Sequence, residues 1–391
     1  KSRRRIASVF ARFTLITVGP GRLSSACNEH VRLSWRVGPM SDEDRERPDP
    51  GAMRPRRAME RYLRRRRTDS TESSLRGWRY RLKLFADWLD GIGVTRIDQI
   101  RGYDLDEYYE VRADKIAPAT LEGEMWTLKK FFEYCEQIEA VEQGMAERIR
   151  IPDLDEEDRS NDTRLKAEDA LPLLRYYRHG DQFGTRRHAF LELAWITGAR
   201  QSAIRGLDLR DVHLDENYVD FIYRPSAGTT LKNNRSGERP VAIPNMTSDA
   251  LRTYIREYRY DVRDDQGRQP LLASMQGRPT ENTVRTWSYL ATQPCLHGPC
   301  PHGKDRQECK FTKHAHASKC PSSRAPHHIR TGSITWQLDQ GLPPDVVAER
   351  IDATLDVIDD HYDKQSPREQ MERRRRSYVD QLDSEEADED E

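Results

Sequence analysis

The sequence predicts a mainly α chain with a small antiparallel β-sheet, divided into a helical domain and a larger second domain. Three observations carry this. Apolar residues recur at three- and four-residue steps along much of the chain, the period of one helix face. Two short runs of β-branched and aromatic residues flank a single polar, glycine-containing turn, as in a hairpin. Residues 151–163 are polar, acidic and aperiodic, and read as a linker between two folded parts.

The elements follow in order. Lys1 to Arg5 is basic and Ile6 to Val18 mostly apolar, a leader-like pattern that Arg12 interrupts. Residues 1–39 are therefore expected to be no functional part of the fold, and the true start is left open. Residues 41–57, rich in charge, proline and glycine, read as a flexible lead-in, so that 1–57 precede the first domain. The helical domain spans 58–152. Ser70, Thr71 and Ser73 supply an N-cap, after which Leu75, Trp78, Leu82, Phe85, Trp88 and Leu89 form one apolar face that Gly91 and Gly93 end. A shorter helix is expected from about Asp104 to Asp114. A second strong one starts near Thr120 with the face Leu121, Met125, Leu128, Phe132 and Cys135.

The second domain spans 164–379. Helices are expected at 166–178 and 186–197, the latter stopped by Gly198. Strands are expected at 219–223 and 240–243. Helices resume at 247–259 and 280–292, and again at about 329–340, 344–351 and 354–363, with Pro343 and Pro344 suiting a first helical turn. A cysteine-rich insertion, 295–320, separates the two sets. Residues 370–382 look helical, with Met371, Tyr378 and Leu382 at roughly helical spacing. The tail 380–391 carries eight acids and no base, and reads as solvated.

The formal net charge is −1, but the first 39 residues hold eight bases and one acid, leaving 57 bases against 65 acids in the rest. No apolar run approaches the ~18–20 residues of a membrane span, and a cytoplasmic protein is expected. Basic residues crowd the first helical domain at Arg61, Arg64 to Arg67, Arg76, Arg79, Arg81, Lys83, Lys129 and Lys130. They read equally as a solvated face or as contacts to phosphates.

Four segments of the second domain hold side chains suited to one kind of chemistry. Thr197-Gly198-Ala199-Arg200 places an arginine just past a helix end. Lys232 lies in the turn between the two strands. In Pro326-His327-His328-Ile329-Arg330, a histidine and an arginine stand three apart, on one face if helical. His361-Tyr362-Asp363 ends a helix on a tyrosine. Singly, Arg200 and Lys232 read as surface charges, Tyr362 as a packing residue and His328 as a neighbour. Together they are what phosphodiester transesterification needs. Guanidinium groups hold non-bridging phosphate oxygens, histidine and lysine move protons near neutral pH, and tyrosine is a covalent nucleophile.

The order Arg…Lys…His-x-x-Arg…Tyr resembles the tyrosine recombinase, or phage integrase, family over residues from about 60 to 380. The resemblance implies a helical, SAM-like core-binding domain that clamps duplex DNA together with a tyrosine recombinase catalytic domain. It implies that Arg200 and Arg330 bind the scissile phosphate, that His327 assists proton transfer, and that Lys232 protonates the leaving 5′-oxygen. Tyr362 then forms a 3′-phosphotyrosyl link. No cofactor is implied for catalysis. The implied partner is double-stranded DNA, with a homo-tetramer on two synapsed duplexes; 370–382 is expected to pack on a neighbouring protomer. Two positions depart from the family. An acid usually stands three residues after the first arginine, and here that residue is Ala203. A His or Trp usually stands nine before the tyrosine, and here it is Ala353. These losses keep open a catalytically degenerate DNA-binding protein of the same fold. A type IB topoisomerase-like nicking and resealing activity is the other alternative.

Cys295, Cys300, Cys309 and Cys320 fall within 26 residues. In a cytoplasmic chain, such clustering points to a metal rather than to disulfides. Four thiolates, with His297, His302, His314 and His316 as alternatives, suit a structural zinc; the other reading is a loop of free thiols. Lys304, Arg306, Lys310, Lys313 and Lys319 around them are placed to touch a DNA backbone.

Overall fold

The computed structural model describes residues 49–155, 163–362, 367–376 and 379. The leader-like segment, most of the linker, Asp363, Tyr378, Leu382 and the acidic tail lie outside the described residues. Of the described residues, those up to Leu105 with Thr127–Ile149 form one compact unit. Those of Asp106–Trp126 with everything from Arg150 onward form a second.

The first unit starts earlier than the sequence suggests. Asp49 to Met53, expected to belong to a flexible lead-in, is held by backbone hydrogen bonds from Ile97 N to Met53 O (2.8 Å) and from Asp98 N to Gly51 O (3.3 Å). Helix α1 (Pro55–Arg65) then begins on a proline at its first turn and buries Ala58, Met59, Tyr62 and Leu63. The surrounding charge hides this short apolar stripe in a composition-based reading. Helix α2 (Glu72–Gly91) is N-capped by the Thr71 hydroxyl, which accepts from Ser74 N–H at 3.2 Å. Leu75, Leu82, Phe85 and Leu89 of its predicted face are buried, while Trp78 and Trp88 are half-buried at the margin. Arg66 stacks over Trp78, 5.2 Å from the ring centroid.

Helices α3 (Gly102–Ala113) and α4 (Pro118–Gln137) follow. All five residues predicted for the α4 face are buried. In its C-terminal half, Phe131 and Phe132 meet Tyr62 and Phe85 edge-on at 5.8 and 6.0 Å, an arrangement that adds to their area burial.

The second unit is built around one buried helix. From α5 (Ala167–His179) the chain enters α6 (Arg186–Thr197), in which every residue from His188 to Thr197 is buried. A helix apolar all round belongs in a core, and its polar members are paired. His188 accepts from Gly184 N–H through Nδ1 (2.9 Å), so its other nitrogen carries the proton and donates to Glu192 Oε1 (3.1 Å). Arg178 donates to both Glu192 oxygens, at 2.5 and 3.0 Å. Gly198, at φ 57°, turns the chain out of α6 in the left-handed conformation that glycine adopts without cost. The short helix α7 (Gln201–Gly206) follows at once.

Three strands form an antiparallel sheet in the order β1 (Val212–His213), β2 (Tyr218–Phe221), β3 (Arg239–Ala242), with Val219 opposite both Val212 and Val241. The first strand is two residues long, too short for an alternation to show in sequence. Helices α8 (Asn245–Thr253) and α9 (Glu281–Ala291) follow the sheet. The cysteine-rich segment then contributes only short 3₁₀ turns. Helix α10 (Pro326–Asp339) crosses α6, followed by α11 (Pro344–Ile351), α12 (Leu355–His361) and α13 (Pro367–Gln370). Helix α10 begins three residues before the expected 329, because Pro326 fits a helical first turn. No helix among the described residues is long and apolar enough to cross a membrane.

Candidate active site

Three separate segments of the second unit, ending at Gly198, Ile351 and Tyr362, converge on one guanidinium. Arg330, on the first turns of α10, is 1% exposed. Its Nη1 donates to the carbonyls of Gly198 and Ile351, both at 2.8 Å, and its Nε to the Tyr362 hydroxyl at 3.1 Å. Its Nη2 is buried and has no hydrogen-bond partner. An orphaned buried N–H costs stability unless a ligand meets it. Burial holds the Arg330 guanidinium below arginine's ordinary value, and Tyr362 opposes that shift.

Tyr362 caps the C-terminus of α12 and is 6% exposed. Its backbone is tied at both ends: N–H to Ile358 O at 2.9 Å, and C=O accepting from the Thr335 hydroxyl at 3.0 Å. The ring lies 5.1 Å from the Arg330 guanidinium carbon and 6.0 Å from the His327 ring. Because α10 is helical from Pro326, His327 and Arg330 share a face, and both line an open pocket with Arg200, Gln201, Ser202 and Glu281. His328 points elsewhere. Its Nδ1 accepts from Ala325 N–H at 3.4 Å, and burial followed by the nearby His327 and Arg324 charges pushes its pKa down.

Arg200 is the N-cap residue of α7, placed by the Gly198 turn. Its Nη1 donates to the Asp352 backbone carbonyl (2.7 Å) and to Asp352 Oδ2 (3.0 Å). Asp352 was not singled out in the sequence. It caps α11 in the left-handed region, φ 58° and ψ 60°, which Asp tolerates better than most residues. The only sequence signal was an aspartate directly before the unusual Ala353. Lys232 is brought to the same side but not into contact. It is exposed on the loop between β2 and β3, and its neighbour Asn233 donates from Nδ2 to Asp352 Oδ1 at 2.8 Å. Two further arginines, also missed in the sequence, brace the cluster. Arg239 donates to Arg350 O (2.7 Å), and Arg350 to the carbonyls of Ala242 (3.1 Å) and Ile196 (3.0 Å). Burial pushes the Arg239 guanidinium down to about 10, with Asp352 opposing. The two family departures are packing residues here. Ala203 is 5% exposed in the main core, and Ala353 packs against the cluster of Ile334, Leu338 and Ile351.

The four cysteines are not brought together as metal ligands. Cys295, Cys300, Cys309 and Cys320 are partly exposed free thiols. Among the described residues, no group of three or more His, Cys, Asp or Glu side chains is arranged to hold a metal ion. The segment is closed instead by ordinary contacts. Arg306 donates to Cys295 Sγ (3.0 Å), Gln293 to Phe311 O (2.7 Å), His302 shares a hydrogen bond with Ser322 (2.9 Å), and Lys304 sits over Phe311. Near the C-terminus, Arg374 pairs with Asp339 of α10 in the same chain at 2.9 Å.

No family model matches the chain. Curated relatives do. It is 22% identical over 199 residues to the tyrosine recombinase XerC of Treponema denticola, covering 48% of this chain and 57% of that protein. It is 30% identical over 115 residues to XerD of Halalkalibacterium halodurans, covering 29% and 35%. The match to XerD of Pseudomonas aeruginosa is 23% identical over 283 residues, covering 71% and 81%. The chain thus spans about half the length of the first curated relatives it matches. Among solved structures, the Tn1549 transposon integrase in complex with a circular intermediate DNA aligns at a TM-score of 0.59. That match is 14% identical and covers 84% of this chain and 99% of that one. A lambda integrase dimer bound to a COC′ core site aligns at 0.56, with 12% identity and coverage of 81% and 78%.

Proposed function

For a chain with the fold of the tyrosine recombinases and relatives among them, we propose site-specific recombination of double-stranded DNA through a 3′-phosphotyrosyl intermediate. One observation carries the reading above the rest. Arg330 holds Tyr362 with one nitrogen and the scaffold with the second, and its third is buried and unpartnered beside a pocket that Arg200 also lines. A scissile phosphate in that pocket satisfies the orphan nitrogen and sits next to the nucleophile.

On this reading, Arg200 and Arg330 take the non-bridging oxygens and offset the charge that builds up at phosphorus. The Tyr362 oxygen forms the new bond to phosphorus, and the bond to the 5′-oxygen breaks. His327 takes part in moving the tyrosine proton. Lys232, on its exposed loop, delivers a proton to the leaving 5′-oxygen once DNA draws the loop inward. Reversal with another strand's 5′-hydroxyl rejoins the DNA, and the same exchange on two duplexes within a tetramer gives recombinants. The bond energy is conserved in the ester, so the proposed cycle uses no cofactor.

A binding-only reading draws on Ala203 and Ala353, which take away two supporting groups of the family. Covalent trapping on nicked suicide DNA separates the two, comparing the unmodified chain with Tyr362→Phe. A denaturation-resistant adduct that vanishes in the variant supports recombinase chemistry. Well-folded protein that shifts DNA but never forms an adduct supports binding only. Relaxation of supercoiled DNA by a monomer, without recombinants, supports the nicking and resealing alternative.

A further inference from the structure

We propose that Asp352 is the positioning carboxylate of this site, holding Arg200 directly and, through Asn233, the loop that carries Lys232. The inference rests on the recombinase reading and deepens it. Three separate contacts meet at this one residue. The backbone carbonyl and Oδ2 both accept from Arg200 Nη1, while Oδ1 accepts from Asn233 Nδ2. The Asp352 side chain is 11% exposed, so its pairing with Arg200 is shielded from water far better than a surface ion pair. Gly237, at the far end of the same loop, lies close enough that an added Cβ would stand 2.9 Å from Asp352 Oδ2. The loop is therefore bonded to Asp352 at Asn233 and passes close beside it again at Gly237.

The arrangement answers a question raised by Ala203. A family-like acid at that position is absent, and a methyl group fills the place inside the core. Arg200 nevertheless has a carboxylate, delivered by the residue that ends α11. That residue sits one position before Ala353, the other departure. The two changes and Asp352 thus form one local exchange: a carboxylate on a left-handed cap in place of an acid on a helix. The cap also puts Asp352 between Arg200 and the Lys232 loop, so a single side chain sets the distance between the phosphate-holding arginine and the proton donor.

The chemistry of the pair makes the proposal testable. Both partners of the carboxylate are donors, one to each oxygen. Asp352→Asn keeps the left-handed backbone and its carbonyl bond to Arg200, but its side chain has one acceptor oxygen in place of two and no charge, so it faces Arg200 or Asn233 and not both. Adduct formation is measured under single turnover on nicked DNA with an ordinary bridging oxygen, and on the same DNA with a bridging sulfur at the 5′ position. A thiolate leaves without needing a proton. The variants are Asp352→Asn and Asn233→Ala, the latter exposed and no threat to folding. The expected result is a roughly 10- to 100-fold loss with Asp352→Asn on oxygen, only partly restored by sulfur. Asn233→Ala is expected to be slow on oxygen and close to the unmodified chain on sulfur, a selectivity that a merely structural defect would not produce. Unchanged rates in Asp352→Asn, or an Asn233→Ala defect that persists in full on sulfur, overturn the proposal. Absence of any adduct with the unmodified chain overturns the recombinase reading instead.

Discussion

The Arg330 pocket and the cysteine-rich segment are neighbours in the chain, with Cys320 only seven residues from His327, yet the fold treats them in opposite ways. Arg200, His327, Arg330 and Tyr362 come from three distant stretches; tertiary contacts draw the first three onto one pocket, and Tyr362 is hydrogen-bonded to Arg330. The four cysteines lie within 26 residues and stay apart. The difference lies in what carries each set. The pocket residues stand on helix caps and first turns, whose orphan carbonyls at Gly198 and Ile351 are themselves used as hydrogen-bond acceptors. Cys295 stands on a three-residue 3₁₀ turn, Cys309 and Cys320 flank two others, and Cys300 lies in irregular chain, so no rigid element gives the four a common direction. Side-chain type nominates a site, and rigid backbone ends assemble it.

If that contrast is right, the scaffold of the pocket is brittle and the cysteine segment tolerant. The largest effect is expected at Glu192, inside the helix that leads to Arg200. Burial pushes its carboxyl up, but the hydrogen bonds from His188 and Arg178 outweigh burial and hold it below its ordinary value. A carboxyl held low in the folded state contributes stability that is present above its unfolded pKa and lost as pH falls through the folded one. Glu192→Gln is expected to cost about 3–5 kcal/mol at pH 7 and to flatten the acid limb of a stability–pH curve, both readable by urea unfolding.

Next comes Gly332, two residues from Arg330. A Cβ there would stand 1.7 Å from the Leu165 carbonyl oxygen, a backbone atom that cannot rotate away. Gly332→Ala should cost about 3 kcal/mol and lower both the melting temperature and the adduct yield. Stability unchanged by this variant would mean that α10 is held less closely than the contrast requires.

Arg330→Ala tests the chemistry more than the fold. On the proposed reading, it slows adduct formation by about 10²–10³-fold, and Arg330→Lys recovers little because a lysine cannot bridge the scaffold, the tyrosine and a phosphate at once. Equal rates for the two variants and the unmodified chain would falsify the role of Arg330. The smallest effect is expected from replacing all four segment cysteines with serine, within about 1 kcal/mol of the unmodified chain and indifferent to a chelator. A chelator-sensitive melting temperature that the serine variant abolishes would show that a metal draws the thiols together after all, and would erase the contrast.

Much of this was legible in the residues. The apolar periods locate α2, α4, α5, α6 and α9 to α12 within a few positions, because a buried face must repeat at the helical step. Of the side chains singled out in the sequence, Arg200, His327 and Arg330 line one pocket, and Tyr362 is bonded to Arg330. Helix α1 escaped, since its five buried residues are interleaved with as many arginines. So did β1, where two residues are too few to alternate. Asp352, Arg239 and Arg350 escaped for a different reason. Charged residues on a helix end or a strand read as solvent-facing until the elements packed around them are known, and nothing local distinguishes a buried, paired charge from an exposed one.

The residues along the chain thus determined the elements, the apolar faces and the candidate side chains for the proposed chemistry, because these depend on periods and chemistry carried within a few positions. Only the tertiary structure decided which charges are buried, which carbonyls receive Arg330, that Asp352 stands opposite Arg200, and that the cysteines remain apart. Those outcomes depend on contacts between residues as much as 154 positions apart, whose geometry is set by how helix ends pack and not by what precedes or follows them in the sequence.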